Sequence, residues 1–370
     1  MKLSSFLPSF LKIFILEHRH FFKEVNKKHK RRLMSLIESN KGKSLSIDDE
    51  YKWVQKLCKL TYAYPDLIEV GEAFATSEIR VLSDKPIRQN EIIAICVVKN
   101  DIVKIKQFIC HHRTIGVDKF VILDNMSTDG SVDWLKEQDD VVLLQTSIPY
   151  STNRREGWIN RIIAHYGDNR WYLVADSDEL LVYNGCEQHN LHEVVNHFRN
   201  QKIYRIRALM VDMYAKSEYY VNGSIEDCFK QCVFMDSNSY YYSERNHLKL
   251  ICGGPRERVF HQPPWLTKYP LFYFRSKDIE CKSHFFFPLK DNLKSKCNLV
   301  LKHYKFQPGE LEKIKNIVES GNYYNGSTQY KNYLRVLEES DRIDFICDNT
   351  VEYSSSDSLN LIGIYDPIDW

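Results

Sequence analysis

Asp176-Ser177-Asp178-Glu179 brings three carboxylates into four residues, directly after the apolar run Trp171-Tyr172-Leu173-Val174-Ala175. A short apolar run closed by acids reads as a buried strand that ends in solvent. Two carboxylates one residue apart at such an end can gather a divalent cation and hold a diphosphate against it, because hard oxygen ligands suit magnesium or manganese. The plainer reading of the same residues is a solvated acidic turn. In an open α/β sheet, ligands bind beyond the carboxyl ends of strands, which is where this motif would stand.

The elements needed to hold it there are legible from about Glu91 onward, where strand and helix patterns alternate as in a mostly parallel sheet covered by helices. Ile92 to Val98 is a fully apolar strand, and Lys99-Asn100-Asp101 turns the chain into a helix with Ile102, Ile105, Phe108 and Ile109 on one face, ending at Gly116. Phe120 to Leu123 is a second strand that runs into Asp124-Asn125-Met126-Ser127-Thr128-Asp129-Gly130, a loop of turn formers and helix caps. A short helix through Trp134 and Leu135, a strand from Val141 to Leu144, and a helix striped by Trp158, Ile159, Ile162 and Ile163 lead to the acidic motif. Beyond it come a helix through Leu191, Val194, Val195 and Phe198 and a strand from Ile203 to Met210 that ends at Asp212-Met213-Tyr214. Residues 216–250 show no clear period and are expected to be loops around an acceptor cleft. Pro308 to Ser320 and Gln329 to Glu339 read as amphipathic helices.

Composition narrows the class. A chain of 370 residues with 43% apolar content can bury a large core, and a formal net charge of +2 gives no whole-chain case for nucleic-acid binding. The ten cysteines are scattered singly, often inside apolar segments, as reduced packed thiols would be; this points to a cytoplasmic location. Cys228 and Cys232 lack a second pair at zinc-site spacing and are read as structural. The apolar run from Leu3 to Leu16 is too short, and too interrupted by Pro8 and Lys12, to span a bilayer. With Lys23 and Lys27 to Arg32 after it, this segment suits either the inner face of an anionic membrane or a helix packed on the main domain.

Taken in order, the motifs resemble inverting glycosyltransferases of the family 2 type. The resemblance covers residues 91–306 and rests on Lys99-Asn100-Asp101 (Asp where Glu is usual), His112 before Gly116, Asp124-Asn125-Met126-Ser127-Thr128-Asp129-Gly130 and Asp176-Ser177-Asp178-Glu179. Further matches are Asp212-Met213-Tyr214, Gly254-Pro255-Arg256-Glu257-Arg258, Lys268-Tyr269-Pro270-Leu271, Ser283-His284 and His303-Tyr304-Lys305-Phe306. It implies an α/β GT-A fold: a Rossmann-like, mostly parallel sheet flanked by helices, with helical additions at residues 1–88 and 307–370 around a domain at 89–306. It also implies a nucleotide-sugar donor, a glycan or glycolipid acceptor, Mn2+ or Mg2+, and a place in surface polysaccharide or lipopolysaccharide assembly.

On that resemblance, Asp178 and Asp176 are the metal carboxylates, Asp176 alternatively reaching the ribose, and His303 completes the metal shell. Asn100 and Asp124, each ending a strand, face the donor, with turn capping as the plainer role of Asp124. Ser127 and Asp129 are natural caps. Glu257 is the first candidate for the base that takes the acceptor proton and Asp212 the second, while Arg256 and Arg258 suit diphosphate oxygens or a surface salt-bridge cluster. Glu179 is a supporting residue, and His112 is assigned to structure. The aromatics from Trp265 to Phe274 either stack on sugar or fill the core. Two other functions are weighed. A sugar nucleotidyltransferase would open with a Gly-rich phosphate loop, absent after the first strand; a non-catalytic carbohydrate-binding module would not need the acidic motif.

Overall fold

The computed structural model describes residues 12, 27–61, 67–245, 248–282, 284–320, 324–339 and 344–370. Apart from Lys12, the run from Leu3 to Leu16 lies outside the described residues, as do Lys23 and Ser283. Three helices come first, α1 (Lys27–Ser39), α2 (Glu50–Thr61) and α3 (Leu67–Ala75). The alternating region follows as β1 (Arg80–Ser83), β2 (Ile93–Val98), α4 (Ile102–Thr114), β3 (Lys119–Asp124), α5 (Ser131–Lys136), β4 (Val141–Gln145), α6 (Thr152–Tyr166), β5 (Arg170–Val174), β6 (Glu179–Val182), α7 (Leu191–Asn200) and β7 (Arg205–Asp212). Where loops were expected, the chain forms α8 (Ser217–Asn222), α9 (Cys228–Gln231), β8 (Phe234–Asp236), β9 (Tyr240–Arg245) and β10 (Leu248–Gly253). These pieces are too short to build a readable period, and the β9 residues Tyr240 to Glu244 are all partly or fully exposed. The remainder is α10 (Gly254–Phe260), β11 (Thr267–Phe274), β12 (Ile279–Lys282), β13 (Phe285–Phe287), β14 (Cys297–His303), α11 (Glu310–Ser320), α12 (Tyr324–Glu339) and β15 (Thr350–Glu352).

Nine strands form one sheet in the order β1-β4-β3-β2-β5-β11-β7-β14-β6. Pairing is parallel for β4-β3, β3-β2, β2-β5 and β7-β14, and β11 runs against both β5 and β7. Strands β2, β3, β4, β5, β7 and β14 therefore share one direction, with β1, β11 and β6 opposed, so the sheet is mixed but mostly parallel. Both faces are buried, which is why β2 and the Phe120 to Leu123 stretch of β3 are apolar at every position. Ala94, Cys96, Val98, Phe120 and Ile122 pack with Ile105, Phe108 and Ile109 of α4 and Leu191, Val194 and Phe198 of α7. Ile93, Ile95, Val121 and Leu123 pack on the other face with Trp158, Ile159 and Ile162 of α6 and with α1 to α3 through Leu33, Leu57 and Phe74.

The basic tract at the start of α1 is thus part of a helix that docks on the domain, with His29, Leu33 and Ile37 buried and Arg32 paired with Glu72 at 2.8 Å. Gly157 of α6 is needed for the contact with α3, since a Cβ there would lie 2.6 Å from the Cβ of Ala73. A third, aromatic cluster joins Phe260, Phe306 and Phe345 to Ile314 of α11 and Tyr333 of α12. No helix among the described residues is long and apolar enough to cross a membrane.

Candidate active site

Chain order moves from β2 outward through β3 to β4, and then returns to place β5 on the other side of β2. The connections leaving β2 and β5 diverge, and the crevice between their carboxyl ends is the topological switch point at which open α/β sheets bind ligands. The Ser177 hydroxyl donates to Asp101 across this crevice. Asn100, Asp124, Asp176, Asp212 and His303 each end, or immediately follow, one of the six co-directional strands. They all lie along one edge of the sheet, joined by Glu179, the first residue of the reversed strand β6.

Three cations hold the acidic motif. Arg155 of α6 donates to one Asp176 oxygen at 2.7 Å from Nη2 and 3.1 Å from Nε, and Lys268 Nζ lies 3.5 Å from the other. Burial works against charge on Asp176, yet Arg155 and Lys268 hold its carboxyl at about 2. Lys268 also pairs with Glu179. Burial pushes the Glu179 carboxyl up, opposed by Lys268; for the Lys268 ammonium, Glu179 and Asp176 together outweigh the cost of burial and hold it above its ordinary value. Lys104 of α4, 1% exposed, sits 3.7 Å from Asp178.

His303 lies opposite Asp212 across the β7-β14 pairing and opposite Glu179 across β14-β6. Its Nδ1 is 2.6 Å from one oxygen of the buried Asp212, and Arg256 Nε donates to the other at 2.7 Å. Burial would raise the Asp212 carboxyl, but Arg256 and the His303 hydrogen bond keep it below the usual carboxylate range. The His303 Nε2 is 3.7 Å from Asp178. Ligand-type atoms of Asp178, Glu179 and His303 all lie within 4.8 Å of one another, a candidate acidic and histidine metal site that does not include Asp176. Opposite ligands of a six-coordinate Mg2+ are about 4.2 Å apart, from bonds of about 2.0–2.1 Å. The donor set therefore fits a divalent ion after small side-chain movements, and the imidazole suits manganese better than magnesium.

Asn100 adopts a left-handed backbone, φ 50, and its side-chain oxygen accepts from the Thr128 N–H at 2.7 Å, tying the loop after β2 to the loop after β3. Asp124 is fully buried; its oxygens accept from the Ser127 N–H at 3.1 Å and from the Gln145 amide at 2.8 Å, which is the turn-capping arrangement. Ser127 accepts from the Asn100 N–H and Asp129 from the Ile102 N–H, each at 2.8 Å, so both cap the entry to α4. Glu257 accepts from the exposed Tyr241 hydroxyl at 3.0 Å, and Arg258 donates to Asp236 at 3.0 Å, so neither touches Asp178 or His303. His112 is buried, with Nδ1 donating to Phe108 O at 2.8 Å and Nε2 accepting from the Leu181 N–H at 3.1 Å, a structural role. His284 donates to Thr267 O at 2.9 Å. Cys228 and Cys232 are buried thiols, and Tyr269, Phe272 and Phe274 are core residues.

Neither a family model nor a curated protein matches the chain. Among solved structures it is similar to the mannosyltransferase PcManGT from Pyrobaculum calidifontis in complex with GDP-Man and Mn2+, at 15% identity and a TM-score of 0.25. That likeness covers 44% of this chain and 47% of the other, so the chain spans under half of that enzyme. Likeness at this level carries no functional inference, and function has to come from the site's own residues.

Two site residues escape sequence reasoning although a signal for each exists. Lys104 falls in one i, i+4 row with Phe108 and His112, and Arg155 in one row with Ile159 and Ile163, so both point with apolar neighbours toward the sheet. A charged residue inside an apolar row marks a buried partner of opposite sign.

Proposed function

We propose that this chain is an inverting, metal-dependent glycosyltransferase that moves a sugar from a nucleotide-diphosphate sugar to a hydroxyl of a glycan or glycolipid, in surface polysaccharide or lipopolysaccharide assembly. The observation that carries the reading is the convergence of Asp178, Glu179 and His303 at the carboxyl edge of the sheet, beside the β2/β5 switch point. A cation bound there would offset charge gathering on the departing diphosphate. Asp178 and His303 would hold it, with Glu179 shared between it and Lys268. Asp176, two-fifths exposed although salt-bridged, stays on the rim with Asn100, where both can meet the donor's ribose or base.

Glu257 is the proposed base. Its carboxylate is partly exposed and, among the described residues, accepts a hydrogen bond from the Tyr241 hydroxyl, whereas both Asp212 oxygens are engaged. Arg256 is turned inward onto Asp212 and Arg258 onto Asp236, so a diphosphate role for either requires it to leave its carboxylate. A cytoplasmic location, with the residues before α1 resting on the inner face of a membrane, belongs to the same proposal.

Calorimetry and product release with a panel of nucleotide sugars, with and without Mn2+, tests it. Metal-dependent binding of a diphosphate sugar and release of the nucleoside diphosphate are expected. Asp178→Ala should abolish transfer while the protein stays folded. Retained transfer in that variant sinks the assignment, and preference for a nucleoside triphosphate or metal-free sugar binding replaces it with one of the other two functions.

A further inference from the structure

His303 has two ring nitrogens with different neighbours, and only one can serve a cation. Its backbone is fixed first: the His303 carbonyl accepts from the Met213 N–H at 2.9 Å, and the next residue, Tyr304, donates to the Asp178 carbonyl at 2.8 Å. These bonds bring the loop after β5 and the ends of β7 and β14 together, but they leave ring rotation and tautomer undetermined. Asp212 decides both. The ring's Nδ1 stands 2.6 Å from Asp212 Oδ1. An ionised carboxylate can only accept, so the proton of that bond sits on Nδ1. Arg256, itself buried, donates to Asp212 Oδ2 at 2.7 Å and keeps the carboxylate from turning away. The Nε2 lone pair is left facing Asp178, 3.7 Å distant.

We infer that Asp212 is a positioning residue rather than the acceptor base: it locks His303 in the Nδ1–H tautomer and aims Nε2 at the space shared with Asp178 and Glu179, where a divalent cation binds. This rests on the cation site proposed above. A carboxylate behind a ligating imidazole fixes the ring and raises its basicity, and losing it typically weakens metal binding about 10–100-fold. In Asp212→Asn, the amide nitrogen can donate to Nδ1 and so favour the tautomer whose Nε2 carries the proton and cannot bind metal.

Two measurements test it. Long-range 1H–15N correlation spectra of metal-free wild-type protein, with His303→Gln to assign the signal, should show His303 protonated at Nδ1 and bare at Nε2. Mn2+ titration followed by electron paramagnetic resonance should show Asp212→Asn binding about 10–100-fold more weakly than wild type. It should also show no added loss when Asp212→Asn is placed in His303→Gln, because Asp212 acts only through the ring. A proton on Nε2 in the wild type, or unchanged Mn2+ affinity in Asp212→Asn, overturns the inference while leaving the cation site standing. If wild type binds no Mn2+, the cation reading itself falls. The tautomer is read from wild-type protein with His303→Gln for assignment, so it is decided even where Asp212→Asn fails to fold.

Discussion

Lys268→Met isolates the charge balance of the acidic motif. Lys268 is 6% exposed and pairs with Glu179, which is 1% exposed, and with the more open Asp176. Asp176 retains Arg155 after the substitution, so the cost falls on Glu179, left with the Asp176 N–H at 3.2 Å as its remaining close donor. Removing one partner of a buried ion pair costs about 3–5 kcal/mol. At about 1.3 °C per kcal/mol for a chain of this length, that is a fall in Tm of roughly 4–6 °C near pH 7. The sign of the pH dependence is fixed by Glu179. Without its lysine, burial raises the carboxyl further above its unfolded value, so the folded variant binds a proton that the unfolded chain does not. The Glu179 contribution to the variant's stability is therefore greatest below about pH 4.5 and declines as pH rises through the folded pKa. Measured against wild type by thermal and urea unfolding, the deficit should be large at pH 7 and shrink toward pH 5, and adding Glu179→Gln should recover most of it. A deficit under about 1 kcal/mol at pH 7, or one that widens on acidification, refutes the reasoning.

Three further outcomes are expected. Burial holds His111 and His284 at about 4 and His112 well below its ordinary value, so these rings stay neutral in the folded protein while the unfolded chain takes up protons from about pH 6.5 downward. Stability should fall between pH 6.5 and 4, by up to about 3 kcal/mol for His284, and His284→Asn should flatten that slope in urea titrations; an unchanged slope contradicts the assignment. Gly253→Ala should cost at least about 2 kcal/mol by thermal unfolding, because φ is +106° and the new Cβ would meet Ser239 O at 2.0 Å; a neutral result would show that the turn before α10 can relax. Glu257→Gln should lower turnover about 100-fold or more with donor affinity unchanged, and equal turnover removes it as the base.

How far the sequence could be read depended on whether a signal was local. The parallel core was legible because β2 and β3 are apolar on both faces, and the acids were legible because Asp124, Asp176 and Asp212 stand where apolar runs stop. Their partners were not, since Lys104, Arg155 and Lys268 reach the motif from sequence distances of 74, 21 and 89 residues to Asp178, Asp176 and Glu179. The division of His303 between Asp212 and Asp178 depends on the register of β14 against β7, which no spacing encodes. The aromatic run through β11 is a core strand because the chain enters it between β5 and β7, a non-local pairing that buries every residue of the strand but Tyr273.

β6 ends the nine-stranded sheet, and its outer margin would ordinarily present a ladder of open amides and carbonyls to any passing chain. At Leu181 both groups are already engaged, the N–H by His112 and the carbonyl by the His111 Nε2 at 2.6 Å. Two adjacent imidazoles on α4 thus blunt this margin of the sheet at Leu181, and of the two only His112, whose Nε2 must accept, loses that capacity once protonated, since the His111 Nε2–H still donates. Because that ring is fully buried and stays neutral in the folded protein, the Leu181 N–H keeps its acceptor for as long as the core holds, and this margin stays closed to another strand until then.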